Sequence, residues 1–68
     1  MPGVCGDLGR NLRRARERLE LTQEEVGQRS GVHPTEVSRI EAGKRDPRIS
    51  TVERLAKALG IPPSDLLG

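Results

Sequence analysis

Residues 23–42, QEEVGQRSGVHPTEVSRIEA, read as two short helices joined by a tight turn, the second presenting a polar outer face. Just before the stretch, Thr22 is placed to cap a helix, Glu25 three residues on completes a capping box, and Leu21 with Val26 forms a hydrophobic staple. A helix is therefore expected over about 22–30, ended by Gly31, which can take the left-handed conformation. A second start follows within three residues. Pro34 suits the first helical position, Glu36 faces the positive helix end, and Val32 with Val37 repeats the staple spacing. Gly43 marks the stop, so this helix is expected over about 34–42. Its apolar residues Val37 and Ile40 sit three apart and make one narrow buried stripe, leaving Pro34, Thr35, Glu36, Ser38 and Arg39 off it. Gly27 lies where two steeply crossing helices come close, and a side chain there would hold them apart.

Working outward, Asp7 can cap a helix in which Leu8, Leu12, Ala15 and Leu19 recur at spacings of 4, 3 and 4, so the first helix is expected over about 7–19. Its other faces carry Arg10, Arg13, Arg14, Arg16 and Arg18 with Glu17 and Glu20, a solvated surface with local ion pairs. The segment before it, residues 1–6 (MPGVCG), is expected to be flexible. Beyond the central unit, GKRDPRIS (43–50) reads as a loop. Ser50 with Glu53 reads as another capping box, opening a helix over about 50–59 whose stripe is Val52, Leu55, Ala56 and Leu59. Ile61-Pro62-Pro63 forces a turn, and a last helical turn over about 63–67 brings Leu66 and Leu67 to close the core. The expected fold is all-α, a compact five-helix bundle containing a helix-turn-helix, with residues 7–68 as one domain.

Composition narrows the function classes. With 68 residues and no Phe, Tyr or Trp, nearly every aliphatic side chain must be buried, because ordering costs roughly 1.5 kcal/mol per residue. The absence of aromatics also disfavours single-stranded nucleic acid, whose bases are usually held on stacking platforms. Twelve basic residues against ten acidic leave a formal charge of only +2, so a polyanionic partner must be argued from where the charges lie. Cys5 stands alone, which excludes an internal disulfide framework and a thiolate metal site, and reads as an incidental free thiol. No apolar run is long enough to span a bilayer and no signal peptide is evident, so a cytoplasmic protein is expected. No paired carboxylates, nucleophile with base, or phosphate-binding glycine loop stands outside places that the fold explains; no enzyme, cofactor or small-molecule ligand is expected. The lone histidine, His33, occupies an N-cap place with no second ligand at helical or loop spacing, so it is read as a cap or exposed ring and no metal is expected.

Several features occur together in order: the Thr22-Gln23 opening, the small Gly27 four positions after the glutamine, the turn Gly31, Val37-Ser-Arg-Ile-Glu-x-Gly-Lys-Arg45, and TVERLAKALG over 51–60. In this set the chain resembles the lambda-repressor-like, or XRE and Cro-type, helix-turn-helix family from Leu8 onward. The resemblance implies a sequence-specific double-stranded DNA-binding transcriptional regulator that places helix 34–42 in the major groove, as a weak dimer on an inverted repeat. It implies an ion pair between Arg16 and Glu41, a phosphate contact from Gln23, and phosphate contacts from Lys44 and Arg45. The DNA-facing set is then Gln23, His33, Pro34, Thr35, Glu36, Ser38, Arg39, Lys44 and Arg45.

Side-chain chemistry assigns parts within that set. Arg39 suits guanine N7 and O6, Thr35 a thymine methyl or a hydroxyl contact, and Ser38 a phosphate or bridging water. Pro34 and Glu36 depart from the family pattern: Pro34 offers no hydrogen bond, and Glu36 can counter the helix dipole or accept from cytosine N4. Arg48 stands where relatives carry Ser or Thr, so the fourth helix starts later here or Arg48 faces DNA. The alternative class is a protein-interaction module on the same fold, coactivator- or antitoxin-like.

Overall fold

Five helices follow one another in the computed structural model, which describes residues 4–68, with side chains from Asp7 onward. They are α1 (Val4–Arg18), α2 (Gln23–Ser30), α3 (Pro34–Glu41), α4 (Ile49–Leu59) and α5 (Pro63–Leu67), with no strand among the described residues. The start of α2 is the capping box read from the sequence: Thr22 Oγ1 accepts from the Glu25 N–H at 3.1 Å, and Glu25 Oε1 accepts from the Thr22 N–H at 2.9 Å. Its end is Gly31 at φ 75°, whose N–H donates to the Gly27 carbonyl at 2.8 Å.

The other long helices stop in one shared way. After α1, α3 and α4 a residue with positive φ, Glu20, Gly43 or Gly60, lets two N–H groups fold back on the last turn. The pairs are Glu20 to Glu17 and Leu21 to Arg16, Gly43 to Ile40 and Lys44 to Arg39, and Gly60 to Lys57 and Ile61 to Ala56. Each is the pattern that satisfies carbonyls a helix end otherwise leaves open.

The core gathers one stripe from each helix. Leu12, Val26, Val37, Ile40, Leu55, Ala56 and Leu66 are fully buried, with Leu8, Leu21, Val32, Val52 and Leu59 nearly so. Each of the larger side chains is worth about 1.5–3 kcal/mol of transfer free energy, and none is aromatic. Helix α1 packs on α3 and α5, while α2 packs on α3 and α4. The α1–α3 contact is close because Gly9 has no side chain: a Cβ there would overlap the Ile40 carbonyl and stand 2.9 Å from that of Glu41. Asn11 fastens the other side, donating Nδ2 to the Leu66 carbonyl at 3.0 Å. Gly27 has the close approach expected of it, since a Cβ would stand 2.7 Å from the Val32 carbonyl and 3.1 Å from the Pro34 ring.

Four local expectations are corrected. Helix α1 begins at Val4, so Asp7 is no cap; it lies in the first turn, where its charge faces the positive helix end and pairs with Arg10 at 3.8 Å. The reading of residues 1–3 and of the Cys5 side chain lies outside what the structure describes. Leu19 falls beyond the end of α1 and is 47% exposed, because the left-handed turn at Glu20 swings Leu21 into the core instead. Leu67 is 42% exposed, since in so short a helix only Leu66 can point inward. The Ser50–Glu53 box does not form. Arg48, in extended conformation, is the N-cap of α4 without a side-chain cap bond, and its carbonyl accepts from Val52 at 3.0 Å. Starting there lengthens the helix and leaves Ser50 inside it, where a capping role is lost.

Candidate nucleic-acid interface

Helix α3 is held from behind and capped at its start. Val37 and Ile40 are fully buried, and the His33 ring caps the first turn, its Nδ1 accepting from the Thr35 N–H at 3.1 Å. Pro34 follows at the first helical position. With the stripe 37 and 40 committed to the core, the helical period leaves Thr35, Ser38 and Arg39 on the opposite side, and all three are exposed.

At its C-terminal end α3 is tied to α1. Arg16 donates Nε to Glu41 Oε2 at 2.7 Å and Nη2 to Glu41 Oε1 at 2.9 Å, with Nη1 on the Leu21 carbonyl at 2.9 Å. The two side chains are only 15% and 6% exposed. The hydrogen bonding that Arg16 donates to Glu41 raises its pKa; burial works the other way, and the charges of Glu41 and Glu17 add to the rise. Gln23 joins this network: its Nε2 donates to Glu41 Oε1 at 3.2 Å. A carboxylate only accepts, so the amide nitrogen must face it, and the second N–H of that nitrogen remains for another acceptor.

Glu36 sits in the first turn of α3, where its charge faces the positive helix end. It is also paired with Arg45, Nε to Oε2 at 3.1 Å. That bond draws the 43–48 loop against the helix, and the two residues share a hollow with Asp46, Pro47, Arg48 and Thr51. Lys44 and Arg39 are exposed and enter no ion pair among the described residues.

The nine residues named from the sequence therefore fall into three groups. Thr35, Ser38 and Arg39 share the open face of α3, and Gln23 meets Ser38 at the edge of a cleft floored by Arg16 and Glu41. Glu36 and Arg45 are bound to each other on the loop side, with Lys44 next to Arg45 in the chain, and His33 and Pro34 border a shallow hollow with Gly27 and Gly31. Arg13 lines the same cleft as Gln23 and Ser38, although no local signal marks it out. On α1 alone it is one of five arginines, and nothing local separates it from Arg14 or Arg10.

Comparison with known proteins bears on this surface. A family model described as a helix-turn-helix domain matches residues 7–67. An uncharacterised HTH-type transcriptional regulator of Sinorhizobium fredii, y4dJ, is 42% identical over 60 residues, which is 88% of this chain and 78% of that protein. The HTH-type transcriptional repressor RghR of Bacillus subtilis is 43% identical over 60 residues, 87% of this chain but only 44% of the repressor. Among solved structures, the restriction-modification controller protein C.AhdI from Aeromonas hydrophila superposes with a TM-score of 0.88 at 32% identity, covering 91% of this chain and 94% of that one.

Proposed function

The chain belongs to the helix-turn-helix domain family, in its lambda-repressor-like form, and from that premise we propose that it is a sequence-specific double-stranded DNA-binding transcriptional regulator, with residues 7–68 as the DNA-binding domain. The observation that carries this is the free face of α3. Thr35, Ser38 and Arg39 are exposed on a helix whose back is sealed by Val37 and Ile40 and whose end is fixed by Glu41. A major groove about 12 Å wide admits one such helix, and a preorganised one enters without an ordering cost.

In the groove, Arg39 is the reader of guanine, through N7 and O6, and Thr35 meets a thymine methyl or a neighbouring phosphate. Gln23 offers a phosphate its remaining amide N–H, together with the free backbone N–H groups at the start of α2. Lys44 supplies a phosphate contact from the loop, and Arg45 a second once its bond to Glu36 is exchanged. Two copies on an inverted repeat, with half-sites about 34 Å apart on one face of the duplex, complete the reading. Among the described residues no helix is long and apolar enough to cross a membrane.

The test is a salt titration of binding to random duplexes and to duplexes selected from a random pool. Affinity is expected to fall steeply with salt, Lys44→Ala to lower the slope by about one, and Arg39→Ala to relax base preference at one position at a cost of about 1–3 kcal/mol. A flat slope would replace this reading with a protein-interaction role.

A further inference from the structure

Resting on the DNA-binding reading above, we propose that the cleft between α1, α2 and α3 seats one backbone phosphate of the duplex and that Arg13 is its cation. The cleft is open and about 310 Å³ in volume, bordered by Arg13, Arg16, Gln23, Ser38, Glu41 and Ala42.

The floor of the cleft is electrically matched. Glu41 accepts three hydrogen bonds, two from Arg16 and one from Gln23, so its negative charge is answered in place. Arg16 in turn has three of its N–H groups committed, to Glu41 and to the Leu21 carbonyl. The floor therefore leaves the attraction of an anion to the rim. There Arg13 is 64% exposed, and its hydrogen bond to Glu17, Nε to Oε2 at 3.2 Å, joins it to a carboxylate that is itself 55% exposed. Such a surface pair one helical turn apart is screened and weak. A phosphodiester offers the guanidinium a bidentate partner instead, the geometry in which Arg binds phosphate best. Across the cleft the exposed Ser38 hydroxyl and the second Gln23 amide N–H supply two more donors, and Ala42 presents only a methyl to the space.

Position selects the polyanion. Ser38 shares its helical face with Thr35 and Ala42, three residues before and four after, so the cleft continues the open surface of α3 directly. A strand whose bases face Thr35 and Arg39 runs its backbone past this edge, and Arg13 closes on it from α1. The contact fixes how α3 lies in the groove and reads no base.

The test uses the full chain with Arg13→Ala, Arg13→Lys and Arg14→Ala, Arg14 being a neighbour that lines a separate hollow with Leu19, Leu59 and Ile61. Each protein is titrated against a random duplex and a pool-selected duplex at several salt concentrations, after melting curves have shown the same folded baseline. Losing one phosphate contact lowers the slope by about 0.9, so between 50 and 200 mM salt Arg13→Ala is expected to lose roughly 3.5-fold less affinity than the unmodified chain. The drop should be equal on both duplexes, restored by Arg13→Lys and absent in Arg14→Ala. An unmodified chain with a steep slope that Arg13→Ala leaves unchanged, or that Arg14→Ala lowers equally, overturns the seat and leaves the regulator reading intact. An unmodified chain with no salt-dependent binding overturns both.

Discussion

The Arg16 guanidinium holds Glu41 through two parallel charge-assisted hydrogen bonds, 2.7 and 2.9 Å long, and so binds the first helix to the end of the third. With the Glu41 side chain only 6% exposed, removing the arginine strands a carboxylate away from water. Arg16→Met is expected to cost about 3 kcal/mol, a large part of the stability of a domain this small. Replacing both residues by apolar ones of similar volume is expected to recover much of that loss, since the desolvation of two charges is removed with their attraction. Urea unfolding of the two single variants and the double variant would show this; additive losses would mean that the pair is not coupled.

Glu20 holds a left-handed backbone conformation, φ 56°, which costs a side-chain-bearing residue about 1 kcal/mol or more. Gly43 and Gly60 occupy the equivalent places after α3 and α4. Glu20→Gly is expected to raise stability by about 0.5–1 kcal/mol, the relief of strain exceeding the added freedom of the unfolded chain. A thermal melt with a lowered midpoint would contradict it.

Gly9 has no room for a methyl group, because the carbonyls of Ile40 and Glu41 occupy the space. Gly9→Ala must push α3 off α1 and should cost about 1–3 kcal/mol, despite alanine's better helix propensity. The converse outcome, an alanine variant that melts at or above the unmodified chain, would mean that the helices are not in contact there.

Glu25 makes a stability contribution that acid removes. Its hydrogen bonds with the Thr22 backbone and then with the Thr22 hydroxyl lower its pKa. The unfolded chain therefore binds the proton first. This contribution is present in full above the ordinary glutamate value of about 4.3 and is lost as pH falls through the lower folded value. Comparing unfolding midpoints at pH 7 and pH 3 for the unmodified chain and Glu25→Gln should show a smaller acid loss in the variant. Equal losses would remove Glu25 from the account.

Much of the architecture was legible because its signals are local. A capping box, a staple and a stop glycine act within five or six residues, so Thr22, Glu25, Gly31, Gly43 and Gly60 could be read before any tertiary contact was known. The same locality misled where two local signals competed. Ser50 with Glu53 is a complete box on paper, yet α4 starts at Ile49, and Leu19 continues a regular stripe that Glu20 breaks with a conformation usually left to glycine.

The sequence by itself determined that five helices form, and most of the apolar stripe of each, because backbone capping and the helical period depend on neighbours in the chain. Only the tertiary structure decided which polar residues stand together. Arg13 borders a cleft that Gln23 and Ser38 enter from two other helices, Glu36 meets Arg45 across a loop, and Gly9 is small because α3 passes over it. These relations join residues 9 to 32 positions apart in the chain. Charge and hydrogen bonding at such separations are set by how helices cross, which local periodicity does not encode.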